Sequence, residues 1–489
     1  MSRIKSPFVA KIEDIEQRGY GIARHEGRVI FVEETLPGEV VEAQVIKKKR
    51  SYAFAKPLRL LESSPHRVEP FCRHFDSCGG CKWQFLPYPK QLEYKQYFVK
   101  TALERIGGIV DPPIGTILGA PTDRLYRNKL EFSFSPSRWL EESEVASGES
   151  VGDRRALGFH VRGWFDRVLD IEECWLQEEP SNAIRNRVRE MALERDLSFH
   201  DPRNHEGLLR SLVIRTSQTG ETMVSLVVYE ERPEVFALLS AVKEAFPEIT
   251  SLNYIVNRRM NDSLVGLTAH PFAGADHITE VCGHLKLRID AMSFYQTNSR
   301  QAEVLYDAVE RMARLTGEEE VWDLYSGAGS IGLYLARRAR SVLGIESVEA
   351  AVARARDNAE ANGIGNARFE VGEVEKRLPE LLFLGGAAPK AAAPKAAAAG
   401  KAAPVPRVLI LDPPRGGLHP AAAKLIGETV PGPIVYVSCN PATQARDIEI
   451  MSESYELEEI QPVDMFPQTH HIESVARLVP RVRSTAGAE

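Results

Sequence analysis

Long apolar runs are missing from this sequence of 489 residues. No stretch approaches the roughly 20 apolar residues that a membrane-spanning helix needs, and the first residues lack the apolar core of a signal peptide. We therefore expect a protein of the cytoplasm that makes no contact with membranes. The apolar fraction of 43% still supplies side chains for buried cores, and the length predicts two or three domains.

Cysteine is scarce, with six residues in the whole chain. Six thiols are too few for a disulfide framework in a chain of this length, and clustered cysteines in a reducing compartment more often bind metal or take part in catalysis. An excess of positive charge is also lacking, since the formal net charge is −7. That value argues against a protein that coats nucleic acid with its whole surface, although net charge says little about a local patch.

The first 62 residues carry more positive charge than the rest of the chain. They hold 12 Lys and Arg against 9 Asp and Glu, and they alternate short β-rich runs with turn residues. This pattern favours a small antiparallel β-barrel. The basic run 47–50 would follow a phosphate backbone, although a solvated charged hairpin accounts for the same run equally well. Residues 1–62 are therefore a candidate RNA-contacting domain.

Two further domains are predicted from a change in the residue pattern. In residues 63–290, the first predicted helix runs from Pro89 to Ile106. After it, short β-rich runs alternate with helices, which is an α+β pattern. In 291–483, helices alternate with short apolar strands, as in a parallel, Rossmann-like α/β sheet. The Ala/Pro/Lys stretch 385–406 can neither sustain a helix nor supply a core, so we predict a disordered surface insertion there. Residues 484–489 form a tail.

A glycine-rich turn follows the predicted strand EEVWDLY. The turn SGAGSIG at 326–332 contains the pattern G-x-G-x-x-G, and Glu346 ends the next predicted strand 19 residues after Gly327. Glycines let the backbone approach a ligand, and an acid at that strand end can accept hydrogen bonds from a ribose. A tight structural turn and an NAD site are the alternatives that this motif leaves open.

The ends of the other strands favour S-adenosylmethionine over NAD. The unit lies late in the chain, Asp323 is near the end of its first strand, and a later strand ends in the sequence DPPR. In an open α/β sheet the carboxyl ends of the strands line the ligand crevice, so Tyr325, Glu346 and Asp412 should converge there with the end of VYVSCN. We therefore predict an S-adenosylmethionine site beside a base.

Cys439 ends the strand VYVSC, just before an Asn-Pro turn that lets a thiol face the crevice. For cysteine as a residue type, a buried structural role is the commoner one. A thiol with an ordinary pKa of about 8.5 is nevertheless a strong nucleophile, even when only partly ionised. Addition of such a thiolate to C6 of uracil makes C5 able to displace the methyl group of a sulfonium.

Such a reaction also needs a base, because the C5 proton must leave before the cysteine can be eliminated. Glu473, in MFPQTHHIESV, is the candidate. A solvated surface glutamate is the alternative, and the residue type alone leaves the two even. The neighbouring His470 and His471 are expected to pack or to contact RNA, since no Cys or Asp completes a metal-binding spacing near them.

Three cysteines lie close together in the chain, at Cys72, Cys78 and Cys81, and Cys174 follows about ninety residues later. Four thiolates are enough for a zinc ion or an iron–sulfur cluster, and Gly79-Gly80 imposes a turn suited to ligands. The spacing matches neither the C-x3-C-x2-C of radical S-adenosylmethionine enzymes nor a zinc ribbon. From the residues alone, zinc and iron–sulfur are equally favoured, and isolated buried thiols are disfavoured.

Five segments resemble, in order, the successive motifs of the RNA (uracil-5-)-methyltransferases. They are FYQTNSRQAE, DLYSGAGSIGLYLA, LDPPRGGL, VYVSCNPATQARD and DMFPQTHHIESVA. The resemblance implies that Cys439 is the covalent nucleophile and Glu473 the proton acceptor. It implies S-adenosylmethionine contacts at Gln296, Tyr325, Glu346 and Asp412. Two positions depart from the family: Glu373 stands where an Asp on the adenine side is common, and Ser326 where a cysteine is frequent.

Other parts of the chain share this resemblance, which covers nearly everything except the insertion and the end after Arg483. CRHFDSCGGCKWQ with the distant EEC is similar to the [4Fe-4S] ligands of the ribosomal-RNA branch of the family. It implies a structural cluster on Cys72, Cys78, Cys81 and Cys174. The run 126–129 resembles an RNA-contacting segment, and the N-terminal domain resembles a TRAM domain, an OB-like β-barrel that binds RNA.

These observations predict a monomeric enzyme that methylates C5 of a uridine in 23S ribosomal RNA after taking the base out of its stack. The alternatives are a methyltransferase for the TΨC-loop uridine of transfer RNA, a non-catalytic RNA-binding assembly factor, and an amino-methyltransferase. Asp412, Cys439 and Glu473 together argue against the assembly factor. Arg415, where amino-methyltransferases have an aromatic residue, argues against the last.

Overall fold

In the computed structural model, residues 6–148, 152–384 and 407–481 are described. They form one six-stranded sheet, two seven-stranded sheets and one two-stranded sheet. The predicted insertion 385–406 and the predicted tail 484–489 lie outside the described residues. Within the described ranges, every helix is too short or too polar to cross a membrane.

The N-terminal sheet has buried and exposed side chains in alternation, as expected for strands with one solvated face. Its strands are β1 (Phe8–Lys11), β2 (Asp14–Ile15), β3 (Gly21–His25), β4 (Arg28–Val32), β5 (Val40–Lys48) and β6 (Tyr52–Glu62). They lie in the order β1-β5-β6-β4-β3-β2, and β4 runs parallel to β6 while the other neighbours are antiparallel. The small side chains of Ala23, Ala43 and Ala55 are fully buried on the inner face.

The central sheet is mostly antiparallel. Its elements in chain order are α1 (Tyr88–Arg105), β7 (Lys129–Ser135), α2 (Glu142–Ser147), β8 (Ala156–His160), β9 (Val168–Asp170), α3 (Ser181–Glu194), β10 (Leu209–Thr216), β11 (Thr222–Val228), α4 (Pro233–Ala245), β12 (Ser251–Val256) and β13 (Ala269–Gly274). The strand order is β13-β12-β11-β10-β7-β8-β9, with one parallel pair, β11 and β12. Strands β10 and β11 are buried along nearly their whole length, and one face of the pair packs against helices α3 and α4.

A hairpin of β14 (His277–Cys282) and β15 (Leu285–Asp290) follows the central sheet. Its alternate side chains, including Ile278 and Leu287, share a hydrophobic core with Val309 and Val321 of the C-terminal part of the chain. The hairpin therefore packs with the C-terminal sheet, although the sequence pattern grouped it with the central region.

The C-terminal sheet has five neighbouring parallel strands and, at one edge, two further strands that each pair antiparallel with the strand beside them. Its elements are α5 (Ser299–Ala313), β16 (Glu320–Leu324), α6 (Ser330–Ala336), β17 (Ser341–Glu346), α7 (Glu349–Ala361), β18 (Ala367–Val371), α8 (Val374–Leu384), β19 (Val408–Leu411), α9 (Pro420–Thr429), β20 (Ile434–Ser438), α10 (Pro441–Met451), β21 (Tyr455–Val463) and β22 (Glu473–Pro480). The order is β18-β17-β16-β19-β20-β22-β21. The direction of strand addition reverses between β16 and β19, which is where a parallel sheet opens a crevice.

Helix α1 connects the central and C-terminal parts. Its buried residues Val99 and Leu103 belong to the same hydrophobic core as Leu409 and Ile448 of the C-terminal sheet and its helices. The loop between β21 and β22 lies against the same helix, because Lys95 forms a hydrogen bond with Asp464. The strands that carry the crevice are thus supported by a helix from the central region.

Candidate active site

A cavity of about 500 Å³ opens at the carboxyl ends of the parallel strands, at the point where the strand order reverses. Its walls come from the segment before α5, the glycine-rich turn after β16, the ends of β17, β19 and β20, and the start of β22. Six of the seven residues predicted for catalysis or cofactor binding line it, namely Gln296, Tyr325, Glu346, Asp412, Cys439 and Glu473.

The glycine-rich turn brings backbone to the cavity. Gly327 and Gly329 have φ angles of 54° and 80°, and Tyr325, at 65°, also adopts the left-handed conformation. A Cβ atom at Gly329 would approach the ring of Phe369 to 2.8 Å, so glycine is required there. At Gly327 the same atom would meet open space, because this side of the turn faces the cavity.

Two carboxylates hold this turn. Glu346 accepts a hydrogen bond from the backbone N–H of Gly327 at 3.1 Å and another from that of Val348 at 2.8 Å. Asp323, beneath the turn, accepts one from Gly332 at 2.9 Å. Burial and the nearby Asp412 raise the pKa of Asp323 to about 7, and burial alone does the same for Asp412. The cavity is therefore lined with carboxyl groups that a cationic ligand would stabilise in their ionised form.

Glu373 is the predicted site residue that the structure does not bring to the cavity. It is exposed just before α8, where its carboxylate lies 2.7 Å from the ammonium of Lys376. The next acidic residue, Glu375, instead accepts a hydrogen bond at 2.9 Å from the hydroxyl of the cavity residue Tyr325.

The turn at Cys439 is fixed by its neighbour Asn440. The Asn440 side chain caps α10 by accepting from Ala442 N–H at 3.1 Å, and it donates to the carbonyl of Arg415 at the same distance. These two bonds tie the end of β20 to the DPPR turn after β19. Burial raises the pKa of the Cys439 thiol to about 11, with a further contribution from Glu473, while the Arg415 guanidinium opposes the shift.

Glu473 begins β22 and is 5% exposed, which excludes the solvated glutamate that the residue type also allowed. The antiparallel register pairs Ser438 with Ser474, so Cys439 and Glu473 face each other one position further along. Burial holds the pKa of Glu473 well above its usual range; Asp412 adds to the rise, and Arg415 opposes it.

Several cavity residues were not predicted as site residues. Phe294 lies in the wall although 71% of its surface is exposed, and Phe466 lies in the wall contributed by the loop before β22. Arg415 and His471 also line the cavity. The sequence offered a signal for all four positions, because Phe294, Arg415, Phe466 and His471 stand within the quoted motifs. For His471 only packing or RNA contact was predicted.

The predicted RNA-contacting run 126–129 lies beside the cavity. Asn128 is buried and donates to the carbonyl of Gln296 and to the hydroxyl of Ser299, both at 2.8 Å. The Arg127 guanidinium lies 5.7 Å from the ring centre of Phe466. Asn128 thus holds the cavity residue Gln296 in place, and Arg127 lies near the cavity residue Phe466.

A second cavity contains the four predicted ligand cysteines. Cys72, Cys78, Cys81 and Cys174 line it together with apolar side chains such as Phe75. The Arg162 guanidinium donates to the carbonyl of Cys81 at 3.1 Å. In the described ranges, no group of three or more Cys, His, Asp or Glu side chains is arranged so that it could hold a metal ion.

Comparisons with known proteins agree with this geometry. A family model described as tRNA (uracil-5-)-methyltransferase matches residues 404–480, a TRAM domain model matches 8–58, and a methyltransferase domain model matches 315–385. An uncharacterized RNA methyltransferase of Bacteroides thetaiotaomicron is 46% identical over 94% of this chain and 98% of its own length. An uncharacterized RNA methyltransferase of Porphyromonas gingivalis is 42% identical over 96% of this chain and 99% of its own length.

A solved structure is similar over the same span. It is the Pyrococcus abyssi tRNA (uracil-54, C5)-methyltransferase in complex with S-adenosyl-L-homocysteine, with a TM-score of 0.72 and 30% identity over 96% of this chain and 99% of that one.

Proposed function

Because this chain belongs to the RNA (uracil-5-)-methyltransferase family and is an S-adenosylmethionine-dependent RNA methyltransferase, we propose that it methylates a uridine of 23S ribosomal RNA through a covalent Cys439 adduct. The observation that carries the proposed mechanism is the placement of Cys439 opposite Glu473 in one cavity, below the glycine-rich turn. We also propose that the active form is a monomer.

The cavity residues suit S-adenosylmethionine, which supplies an electrophilic methyl group when it is bound. Within the described residues, the buried Asp323 Oδ1 and Ser326 Oγ lack hydrogen-bond partners, and a ligand can satisfy such atoms. We propose that Glu346 holds the ribose and that Gln296, Tyr325 and Asp412 complete the contacts. The exposed position of Glu373 supports no cofactor contact in this arrangement.

In the proposed reaction, Cys439 loses its proton to solvent and its sulfur adds to C6 of the uracil ring. C5 then forms a bond to the methyl carbon as the sulfonium loses it. Glu473 accepts the proton from C5, the C5–C6 double bond re-forms, and the bond between sulfur and C6 breaks. Arg415 favours the ionised forms of both Cys439 and Glu473, which the thiol needs for addition and the carboxylate needs for proton removal.

RNA carrying 5-fluorouridine tests the nucleophile. Fluorine at C5 cannot leave as a proton, so the wild-type protein should form an adduct that survives denaturation. Cys439→Ala should form none, whereas Cys282→Ala, at a buried cysteine outside the cavity, should still form it. Adduct formation by Cys439→Ala would remove this residue from the mechanism.

We propose that Cys72, Cys78, Cys81 and Cys174 bind a [4Fe-4S] cluster. The donor types support this proposal, since four thiols line one largely apolar cavity and the backbone around them is held by other residues, but the thiols would have to move together to hold a cluster. The Cys72 N–H donates to Gln84 Oε1 at 3.1 Å, and the Cys174 N–H donates to Asn182 Oδ1 at 2.8 Å. Protein purified without oxygen should contain iron and sulfide and absorb visible light; a colourless protein with stoichiometric zinc would contradict the cluster.

The N-terminal sheet is the proposed RNA-binding domain. On its outer face the rings of Tyr20, Phe31, Tyr52 and Phe54 lie half-buried, with neighbouring centres 5.4–5.6 Å apart. The Arg18 guanidinium lies 5.8 Å from the centre of Tyr20. Such a face suits stacking on unpaired bases. Contact of β1 with β3 supports closure into the OB-like barrel expected of a TRAM domain.

Transfer RNA is the second candidate substrate, because the similar solved enzyme from Pyrococcus abyssi is named for uracil-54 of tRNA. The four-cysteine cavity, which resembles the ribosomal-RNA branch, favours 23S ribosomal RNA. Mapping 5-methyluridine in both RNAs of a deletion strain decides between them. Loss from 23S ribosomal RNA alone would support the first proposal, and loss from transfer RNA alone would overturn it.

A further inference from the structure

The loop 464–472 joins β21 to β22 and forms part of the active-site wall. Phe466 and His471 line the cavity, and Glu473 follows the loop directly. Within this loop Gln468 has a φ angle of 65°, a backbone conformation that residues other than glycine rarely adopt. Such a backbone persists only where surrounding contacts hold it.

Gln91, on α1, forms a reciprocal pair with Gln468. The backbone N–H of Gln468 donates to Gln91 Oε1 at 2.9 Å, and Gln91 Nε2 donates to Gln468 Oε1 at 3.0 Å. The same nitrogen also approaches the carbonyl of Leu86 at 2.8 Å. Gln91 is 0% exposed and Gln468 2%, so water does not replace these bonds when one partner is lost.

The carbonyl of Gln468 is held by the segment that carries the cysteines. The backbone N–H groups of Lys82 and Trp83 both donate to it, at 2.8 and 3.1 Å. Lys82 directly follows Cys81, which lines the cysteine cavity. The chain segment that forms part of this cavity therefore also holds the catalytic loop. On the other side, Gln468 Nε2 donates to Asp123 Oδ2 at 2.8 Å.

The first half of the loop is tied to the same region. Lys95 Nζ donates to Asp464 Oδ1 at 2.7 Å and to the carbonyl of Phe466 at 3.0 Å, and both ions are fully buried. The Tyr126 hydroxyl donates to the carbonyl of Pro467 at 2.9 Å. Residues of the central region thus form hydrogen bonds with the loop residues 464, 466, 467 and 468.

We infer that Gln91 is a positioning residue for the methyl transfer: through Gln468 it fixes the loop 464–472 so that Glu473 faces Cys439. The Cys81–Trp83 segment supplies the other half of this support, so the cysteine cavity serves the reaction by shaping the backbone of the catalytic loop. This inference rests on the role proposed for Glu473 as the base.

Gln91→Leu is the test variant, since it removes the reciprocal pair and keeps a side chain of similar size. Gln177→Leu is the matched control, because Gln177 is also 0% exposed and donates to a carbonyl, that of Ile214, outside the loop. Two quantities are measured on the full-length protein. They are the hydrogen–deuterium exchange of the loop 464–472 and the fate of the covalent intermediate on ordinary uridine RNA.

In Gln91→Leu the loop amides should exchange about tenfold faster, the change expected when one buried hydrogen bond is lost. Proton removal from C5 should slow, so the methylated covalent intermediate should accumulate. The adduct with 5-fluorouridine RNA should still form, because sulfur addition precedes that step. Gln177→Leu should change neither loop exchange nor the intermediate.

Unchanged loop exchange in Gln91→Leu would overturn the inference, and so would faster exchange without accumulation of the intermediate. If Gln91→Leu does not fold, Gln91→Glu takes its place, since it keeps the acceptor for Gln468 N–H and loses the donor. A wild-type protein that forms no adduct with 5-fluorouridine RNA would instead refute the proposed mechanism, so the two failures are distinguishable.

The contribution of the cysteine segment is tested by Cys81→Ala. Loop exchange should rise in this variant as in Gln91→Leu, whether or not the RNA substrate is present. Cys282→Ala, at a buried cysteine outside this segment, should leave the exchange of 464–472 as in the wild type. Faster exchange confined to residues around the cysteine cavity would refute the link to the loop.

Discussion

Arg415 lies beside the Cys439 thiol and opposes the effect of burial on it. Its hydrogen bond and its charge both lower the thiol pKa, which burial and Glu473 nevertheless hold at about 11. Arg415→Ala should raise that pKa further, so less thiolate is present at any pH below it. At neutral pH the rate of adduct formation with 5-fluorouridine RNA should fall about tenfold, as for a shift of one pKa unit, and recover as the pH rises.

The control for this variant is Arg340→Ala. Arg340 is an exposed arginine just before β17, at the end of the sheet away from the cavity, where its guanidinium lies 3.7 Å from Glu320. It should leave the dependence of the adduct rate on pH as in the wild type. An identical pH profile for Arg415→Ala would show that Arg415 does not stabilise the thiolate.

The buried carboxyls of Asp323 and Asp412 should link cofactor binding to proton release. Each has a pKa raised to about 7, so each is partly protonated in the free protein at neutral pH. A cationic cofactor favours the carboxylates and lowers both pKa values, so binding should release protons near pH 7, and the release should vanish as the pH rises above the free-state pKa.

Calorimetry of S-adenosylmethionine binding in buffers of different ionisation enthalpy measures this release. The observed enthalpy should depend on the buffer at neutral pH, and Asp323→Asn should reduce the dependence. S-adenosylhomocysteine, which lacks the sulfonium charge, should release fewer protons. Equal enthalpies in all buffers would rule out the linkage.

Individual residues differ in how far the sequence determines their place. The strand-end position of Cys439 was evident from the letters VYVSCNP, because a short apolar strand before Asn-Pro needs no distant partner. The sequence does not show that Glu473 is buried, since its burial depends on the pairing of β22 with β20. Glu373 stands where the family commonly has an Asp, yet the chain before α8 turns it to solvent beside Lys376.

At the level of elements, periodicity predicts a helix but not its neighbours. The apolar spacing and Gly107-Gly108 predict a helix over 89–106, and α1 spans Tyr88–Arg105. Its contacts with the C-terminal part, such as the pair of Gln91 and Gln468, join residues 377 positions apart. A pattern within one helix contains no information on such a partner, so the support of the catalytic loop is visible only in the structure.

Leu103→Ala tests how strongly α1 is bound to the C-terminal part. Leu103 is 1% exposed and packs in the core that contains Leu409 and Ile448. The cavity left by the missing methyl groups should cost about 2–5 kcal/mol of unfolding free energy and lower the melting temperature. Lys100→Ala on the exposed face of the same helix should change it by less than about 0.5 kcal/mol. Equal melting temperatures for both variants would contradict the packing.

In the whole molecule, the proposed RNA-binding face and the active site are connected through the cysteine segment. A pocket between the N-terminal sheet and the central region is lined by the basic residues Arg18, Lys82 and Arg162, by Tyr20, and by the acidic residues Glu33 and Glu34. The backbone N–H of Lys82 donates to the carbonyl of Gln468 at 2.8 Å, which places Lys82 beside the loop of the catalytic cavity. A contiguous set of residues thus leads from the N-terminal sheet through Lys82 to the loop 464–472, which forms part of the wall of the catalytic cavity.

Measuring RNA affinity at several salt concentrations should separate the contribution of base stacking on this face from the contribution of its positive charge. Phe54→Ala should weaken RNA binding about tenfold without altering the dependence of affinity on salt, because a ring stacks on a base and displaces no counterion. Lys49→Ala, at an exposed residue of the turn between β5 and β6, should instead reduce the slope of log affinity against log salt by about 0.7–0.9. Affinity measured from low to high salt for both variants separates the two effects. If Phe54→Ala changes the slope and leaves low-salt affinity intact, bases do not stack on this face.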